Sequence, residues 1–192
     1  GEATWWKDTK DSEGNVTGRE ASTDYSNATR YIQKSALPKV YGGFNFRLGY
    51  KAFDLSATFS YQLGGHVLDT SYAGLMSASE YGYSMSPDIK NAWKQPGDIT
   101  DIPRHGEYTE FDSRLLEDAS FLRLKNVMVS YSLPSGLLSK TGFIRGLRVY
   151  AQGQNLLTFT NFSGLDPEGT ANVYAAQYPM SRQFTFGLDL MF

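Results

Sequence analysis

The chain has 192 residues, of which 20% are charged and 15% aromatic, and its formal net charge is −2. This small charge gives no electrostatic reason to expect nucleic-acid binding, and the lack of cysteine excludes disulfides, thiolate metal sites and thiol catalysis. The apolar runs are too short for a transmembrane helix, so the chain could cross a membrane only as part of a closed β-barrel.

Residues 1–40 are the least regular part of the sequence, and we predict a mixed loop and strand region there. Trp5-Trp6-Lys7-Asp8 leads into Asp11-Ser12-Glu13-Gly14-Asn15, a pattern typical of a strand that enters a turn. The acidic residues lack the spacing of a calcium-binding loop, so we interpret them as a solvated turn. The first four residues do not resemble a signal peptide, and we expect the chain to be mature or to begin elsewhere.

Two strands with strict alternation are predicted next, at 41–50 and 53–64. Apolar side chains fall on every second residue, for example Phe44 and Phe46 in the first strand and Phe53 and Phe59 in the second. Polar residues occupy the positions between them, which is the pattern of strands with one apolar face. Because only Lys51-Ala52 separates the two runs, we predict a hairpin with a very short turn.

Residues 65–117 are predicted to form a long connection with short helices at 68–81 and 86–94. Four aromatic side chains in it could contact a substrate or a lid protein, or could simply pack the loop against its neighbours: Tyr72, Tyr81, Tyr83 and Trp93. His66 and His105 have no second histidine nearby, so no metal site is predicted. Asp98, Asp101, Glu107 and Glu110 lack a nucleophile or base partner, so we predict no catalytic residues and no cofactor.

Two strands at 118–133 and 145–158 have an interrupted alternation. In the first, the apolar residues are on even positions up to Leu124 and on odd positions from Val127. A one-residue shift in register would move every following side chain of the strand to the opposite face, so we predict a β-bulge near Lys125-Asn126. The pattern of the second strand becomes unclear at Gln154-Asn155, and its register is left open.

The final strand is predicted at 182–192, after a second long connection at 159–181. Its even positions are apolar up to the last residue, Phe192. Long and short connections therefore alternate along the chain, as in outer-membrane barrels with long extracellular loops and short periplasmic turns. This direction places Phe192 at the periplasmic rim.

The predicted fold is all-β, an antiparallel up-and-down transmembrane barrel whose strands come from residues 41–192. Five strands would leave two open edges, so we expect this chain to be one part of a larger assembly. Two alternatives remain open at this point. One is a passive porin-like barrel, and the other is a soluble β-sandwich that binds carbohydrate through its many aromatic residues.

Several separated segments together resemble the C-terminal region of SusC/RagA-type TonB-dependent transporters. They are Pro38-Lys39-Val40-Tyr41-Gly42-Gly43-Phe44, Phe59-Ser60-Tyr61-Gln62-Leu63-Gly64-Gly65, Ala119 to Val127, Leu147 to Leu156, Gly164-Leu165-Asp166-Pro167-Glu168 and Tyr178 to Phe192. The resemblance covers the whole chain but only about the last fifth of such a transporter. It implies a 22-stranded plugged barrel in the outer membrane, of which this chain would supply the last five strands.

The resemblance also implies function and partners. Members of this family import glycans or oligopeptides in Bacteroidota, together with a SusD-like surface lipoprotein. The TonB-ExbB-ExbD complex would act through an N-terminal part and plug that are not in this chain. Phe184, Phe186 and Phe192 resemble the terminal signal that the barrel-assembly machinery binds by strand pairing. The alternative is that Phe192 is a lipid-facing residue of the aromatic girdle.

Overall fold

The computed structural model describes residues 1–77, 82–107, 110–169, 172–175 and 177–192. The chain divides into two compact units. The loop unit comprises Gly1–Lys34, Val67–Glu117 and Ala171–Ala176, and the sheet unit comprises Ser35–His66, Asp118–Thr170 and Gln177–Phe192.

The described residues are mainly β-structure. The strands are β1 (Trp5–Lys10), β2 (Val16–Ser22), β3 (Val40–Tyr50), β4 (Phe53–Leu63), β5 (His66–Asp69), β6 (Leu116–Asp118), β7 (Phe121–Ser132), β8 (Gly146–Thr160), β9 (Val173–Tyr174) and β10 (Gln183–Met191). The α-helices are α1 (Thr70–Ser77) and α2 (Ser135–Leu138), and short 3₁₀ helices occur at Tyr25–Asn27, Pro87–Asn91, Ser113–Leu115 and Ser139–Thr141.

The sheet unit is built on a five-stranded sheet in the order β10-β8-β7-β4-β3. Every neighbouring pair is antiparallel, and the strands of this sheet follow one another along the chain. The prediction of an antiparallel up-and-down arrangement is confirmed. In the described part of the chain β3 and β10 each pair on one side only, so both edges of this sheet remain open.

A β-bulge at Lys125 interrupts the middle of the sheet. Thr58 pairs with Asn126 and Phe59 pairs with Leu124, so Lys125 has no opposite residue on β4. On the other side, Leu124 pairs with Leu157 and Asn126 pairs with Gln154. The predicted bulge is confirmed, and it reverses which residues of β7 face each side.

The same irregularity explains the unclear pattern in β8. Asn155 lies between the two paired positions and has a left-handed backbone, with φ of 52°. Asparagine tolerates this region better than most residues because its short polar side chain can form local hydrogen bonds. The change in alternation at Gln154-Asn155 is therefore the partner of the bulge on β7.

Two strand ends differ from the predicted bounds by two or three residues, and several others differ by one. The predicted strand at 118–133 begins three residues later, because the Asp118 carboxylate accepts hydrogen bonds from the backbone N–H of Ser120 at 2.8 Å and from its hydroxyl at 2.5 Å. This local turn separates β6 from β7. The predicted strand at 145–158 extends to Thr160, whose hydroxyl donates to the Ser120 carbonyl at 2.7 Å.

The N-terminal part of the loop unit is an antiparallel hairpin of β1 and β2. The carboxylate of Asp11 accepts the backbone N–H groups of Glu13 and Asn15, each at 2.9 Å. The hydrogen bonds from Asn15 are the main reason that the pKa of Asp11 is below its usual value. The acidic segment is thus a capped turn, as the sequence predicts.

A small apolar core holds the rest of the loop unit together. Met76 of α1 and Leu115 are fully buried, and Ala73 packs with them. Side chains from several other segments surround this group: Leu68, Tyr72, Ile89 and Ile102. The predicted helices correspond to α1 and to the 3₁₀ turn Pro87–Asn91, while residues 78–81 of the first prediction lie outside the described residues. The long connection therefore carries its own packed structure.

Candidate functional site

One face of the five-stranded sheet is apolar across all of its strands. Cross-strand partners form three successive rows: Phe46, Ala57, Val127, Gly153 and Phe184; Leu48, Leu55, Val129, Ala151 and Phe186; and Tyr50, Phe53, Tyr131, Val149 and Leu188. Many of these side chains are exposed, and Phe186 shows 78% of its surface. So large an apolar surface is unfavourable in water and is what the lipid-facing side of a barrel requires.

Aromatic pairs lie on this apolar face beside the short turn and halfway along the strands. The rings of Phe53 and Tyr131 are 4.6 Å apart beside the turn, and those of Phe44 and Phe59 are 4.9 Å apart near the middle of β3 and β4. Aromatic side chains at the edge of an apolar band are typical of the girdles at membrane–water interfaces, and the Phe53–Tyr131 pair has that position.

The opposite face of the sheet is polar and internally paired. One row of cross-strand partners on this face consists of Ser56, Met128, Gln152 and Thr185, and the next row consists of Thr58, Asn126, Gln154 and Gln183. Gln152 donates to the Asn126 side chain at 2.8 Å, and Arg148 pairs with Asp189 at 2.8 Å. Polar residues on the inward face are expected where a barrel wall borders a water-filled interior.

Four charged residues on this polar face and on the β8–β10 connection form a cluster, which we call the anchor cluster: Arg123, Lys125, Asp166 and Glu168. Arg123 and Asp166 pair directly and expose only 2% and 6% of their surfaces. Arg123 also pairs with Glu168 at 3.2 Å, and Lys125 binds Glu168 at 2.7 Å. Buried charges are tolerated only when they are paired. In the anchor cluster both cations lie on β7 and both carboxylates lie on the β8–β10 connection, so each ion pair joins these two segments.

Asp166 is the centre of the anchor cluster. Its carboxylate accepts the backbone N–H of Glu168 at 2.9 Å and that of Met180 at 3.1 Å. Burial acts to raise the pKa of Asp166, but the hydrogen bonds from Arg123 and these two N–H groups outweigh it and hold the pKa below its usual value. The ionised carboxylate thus ties both limbs of the 161–182 connection to β7.

In the loop unit, an aromatic wall is held in place by polar contacts. The rings of Trp5 and Tyr25 meet edge to face at 5.3 Å. The Trp5 indole N–H donates to Asp112 at 2.6 Å, and the Tyr25 hydroxyl donates to the carbonyl of Phe111 at 2.9 Å. Arg114 pairs with Asp112 at 2.5 Å, and its guanidinium carbon lies 5.6 Å from the centre of the Trp5 ring.

This wall borders a cavity of about 550 Å³, which we call the aromatic cleft. The side chains that matter for its chemistry are Trp5, Trp6, Tyr25, Arg30, Phe111 and Arg114. Burial acts to raise the pKa of Asp112 beside the cleft, but the hydrogen bonds from Arg114 and Trp5 outweigh it and lower the pKa. Asp112 is therefore ionised, and its carboxylate is already bound by Arg114 and Trp5.

Of the long-loop aromatics predicted from the sequence, the three that the structure describes do not line the aromatic cleft: Tyr72, Tyr83 and Trp93. Tyr72 packs on the core of the loop unit, and its hydroxyl donates to Asp88 at 3.0 Å. Trp93 is half-buried, Tyr83 is exposed, and Tyr81 lies outside the described residues. The packing of Tyr72 is consistent with the alternative that these rings support the loop.

The three predicted assembly-signal residues are all exposed. Phe184 and Phe186 project from the apolar face of β10, the edge strand. Phe192 follows β10, and its ring stacks on that of Phe143 at 6.4 Å between centroids. Their side chains are therefore available at an open sheet edge.

The sequence also predicts no transmembrane helix, no metal site and no catalytic residues. Within the described ranges no helix is long and apolar enough to cross a membrane. Nor do three or more histidine or acidic side chains gather there in a way that could hold a metal ion. Glu107 instead pairs with Arg104 at 2.7 Å, and Asp98 caps a turn by accepting the backbone N–H of Lys94 at 3.0 Å.

Comparison with known proteins finds homologues of one kind. No family model matches the chain. The TonB-dependent receptor P3 of Formosa agariphila is 34% identical over 186 residues, which cover 90% of this chain and 18% of that receptor. The RagAB peptide importer in its closed-closed state superposes with a TM-score of 0.84 and 34% identity, over 99% of this chain and 21% of that chain. Over nearly its whole length the chain is homologous to part of the SusC/RagA-type TonB-dependent receptors.

A further relative agrees with this assignment. The TonB-dependent receptor SusC of Bacteroides thetaiotaomicron is 28% identical over 184 residues, which cover 91% of this chain and 17% of SusC. The chain therefore spans about a fifth of the length of the proteins that it matches. Those proteins are named as receptors and transporters.

Sequence reasoning missed both the anchor cluster and the aromatic cleft. The anchor cluster left a signal, because Arg123 and Lys125 are two residues apart on one strand face and Asp166 and Glu168 have the same spacing. The aromatic cleft left none. Trp5 and Asp112 are separated by 107 residues, and no local pattern indicates that they meet.

Proposed function

We propose that this chain supplies five strands of the barrel of an outer-membrane receptor that imports glycans or oligopeptides by energised transport. The remaining barrel and plug, a SusD-like lipoprotein and the TonB-ExbB-ExbD complex would complete the machinery. The observation that carries the proposal is the sheet with a wholly apolar face, a paired polar face and two open edges. A barrel wall between lipid and an aqueous interior needs these features.

In this arrangement the two ends of the sheet have different roles. The connections at 64–120 and 161–182 leave one end of the antiparallel sheet, and those at 51–52 and 133–145 leave the other. The long pair would face the exterior and the short pair the periplasm, as in known barrels of this type. The anchor cluster would then hold an extracellular connection against the inner wall.

The alternatives account for less of the structure. A soluble β-sandwich needs a second sheet over the apolar face, and the other sheets in the described residues have only two and three strands. A passive porin would explain the wall, but the matched proteins are named as TonB-dependent receptors. The two barrel hypotheses differ in their need for energy.

The test is uptake by cells that carry or lack the full-length receptor. Cells are offered an oligosaccharide digest and an oligopeptide digest, each labelled, and accumulation is followed with and without a protonophore. Deleting the receptor should abolish uptake from one digest, and the protonophore should do the same in receptor-bearing cells. Protonophore-resistant uptake would indicate a passive pore, and unchanged uptake of both digests after deletion would exclude import.

We also propose that Phe192 is read by the barrel-assembly machinery. Replacing it by serine removes an exposed ring at the end of the edge strand, so pairing with the machinery should weaken and outer-membrane abundance should fall several-fold. Met191→Ser is the matched control, because Met191 is equally exposed but alternates to the polar face. Receptor levels in isolated outer membranes decide the question, and equal levels for both variants would refute the assignment.

A further inference from the structure

We infer that the aromatic cleft is a carbohydrate-binding site of the receptor. The inference rests on the proposed import function and deepens it, because it selects glycans as the ligand class and assigns the contact residues. Three separate segments supply the lining, namely 4–6, 25–33 and 111–114. All of them belong to the loop unit, so the cleft is complete within one compact body.

The wall of the cleft is fixed before any ligand arrives. The Trp5 indole N–H donates to Asp112, the Tyr25 hydroxyl donates to the Phe111 carbonyl, and Arg114 forms an ion pair with Asp112. Ordering these side chains therefore adds no further cost when a ligand binds. A volume of about 550 Å³ falls within the range of small-molecule sites.

Exposed rings give the cleft an affinity for flat apolar surfaces. Trp6 and Phe111 line it with 58% and 56% of their surfaces open to solvent. Aromatic rings left in water are unfavourable, and covering them releases that cost. The face of a sugar ring, with its row of C–H groups, is a flat apolar surface that can cover them.

Hydrogen-bonding groups surround these rings. Arg30 and Gln33 line the cleft, and within the described residues their side chains have no hydrogen-bond or ion-pair partner. Arg30 and Gln33 can bind the hydroxyl groups at the edge of a sugar ring, because guanidinium and amide groups present several donors in a plane. The cleft therefore presents both apolar ring faces and hydrogen-bonding side chains, and a carbohydrate presents the same two kinds of surface.

The charges in the cleft disfavour a cationic peptide. Asp112 is the acidic side chain in the described lining, and Arg114 and Trp5 already occupy it. An N-terminal ammonium or a lysine side chain would therefore find no free carboxylate, while Arg30 would repel it. A neutral or acidic glycan meets no such penalty.

The experiment uses the purified full-length receptor in detergent. It is screened on an array of plant, algal and bacterial oligosaccharides and on an array of protease-derived peptides, and the best binder is titrated by calorimetry. Trp6→Ala and Phe111→Ala should each lower the affinity for the bound glycan by about tenfold or more. Trp6→Phe should recover part of the loss, because it restores a ring.

These variants should fold, since the two residues support the structure through their carbonyls. The carbonyl of Trp6 accepts the backbone N–H of Thr29 at 2.9 Å, and that of Phe111 accepts the Tyr25 hydroxyl. Ile99→Ala is the control, because Ile99 is fully exposed in the same unit and does not line the cleft. It should bind the glycan like the unmodified receptor.

Three results would overturn the inference: no binding to any glycan, binding to peptides instead, or equal glycan affinity in Trp6→Ala and the unmodified receptor. Each differs from a failure of the proposed function. If deletion of the receptor leaves uptake unchanged, import itself is wrong. If uptake depends on the receptor but the cleft variants bind normally, only the carbohydrate-binding site is wrong.

Discussion

Arg123→Ala is expected to destabilise the folded receptor by about 3–5 kcal/mol, because it leaves two carboxylates in the anchor cluster without their buried cation. Asp166 would keep its backbone hydrogen bonds but lose the guanidinium, and Glu168 would retain only Lys125. The 161–182 connection should then separate from β7. Urea unfolding of the full-length receptor in detergent measures the loss.

Arg148→Ala is the control for this prediction. Arg148 and Asp189 form a pair on the same polar face, but both side chains are largely exposed. Removing such a pair should cost less than about 1 kcal/mol. If the two variants unfold at the same urea concentration, the anchor cluster does not stabilise the fold.

The anchor cluster also predicts how stability depends on pH. The pKa of Asp166 is lower in the folded protein than the value of about 3.9 expected in the unfolded chain. Its carboxylate therefore stabilises the fold above about pH 4, and this contribution disappears as the pH falls through the folded pKa. The difference in stability between the unmodified receptor and Asp166→Asn should be largest near neutral pH and should shrink below pH 4.

Phe46→Arg is expected to lower the stability of the membrane-inserted receptor by about 2–4 kcal/mol, the cost of a charge on the lipid face of a barrel. Phe46 lies in the row that also contains Ala57, Val127 and Phe184, within the apolar face. The charged arginine side chain at this position would have to leave water without an ion-pair partner. Folding titrations into lipid vesicles measure the effect.

Asn45→Arg is the matched control, because Asn45 is adjacent in β3, is also exposed, and alternates to the polar face. An arginine there would stay hydrated inside the barrel, and its effect should be within about 0.5 kcal/mol of zero. A similar loss for both variants would mean that the apolar face does not meet lipid. The comparison therefore tests which way the wall faces.

The strands of this fold are predictable from sequence for a simple physical reason. When one face of a strand meets lipid and the other meets water, every second residue must be apolar. The bulge at Lys125 is predictable on the same basis, because the parity of apolar residues changes there and cannot change without an extra residue. The hairpin turn follows from the two residues between two such runs.

The ends of β7 and β8 could not be predicted in this way. They depend on the hydrogen bonds that Ser120 donates to Asp118 and accepts from Thr160, and the alternation of apolar residues carries no information about these bonds. The aromatic cleft is even harder to predict from the sequence. Trp5 and Asp112 meet only after the loop unit has folded, and the four long-loop aromatics were the more visible candidates because they lie close together in sequence.

The double attachment at Asp166 has a consequence for changes in the length of the 161–182 connection. Glu168 and Met180 mark two points at which the connection is fixed to the same carboxylate, so residues 169–179 are closed at both ends whatever their composition. Closing a longer loop costs only about 0.6 kcal/mol for each doubling of its length. Insertions next to either attachment point would leave the contacts with Asp166 in place, so the sheet should tolerate changes in the length of this connection.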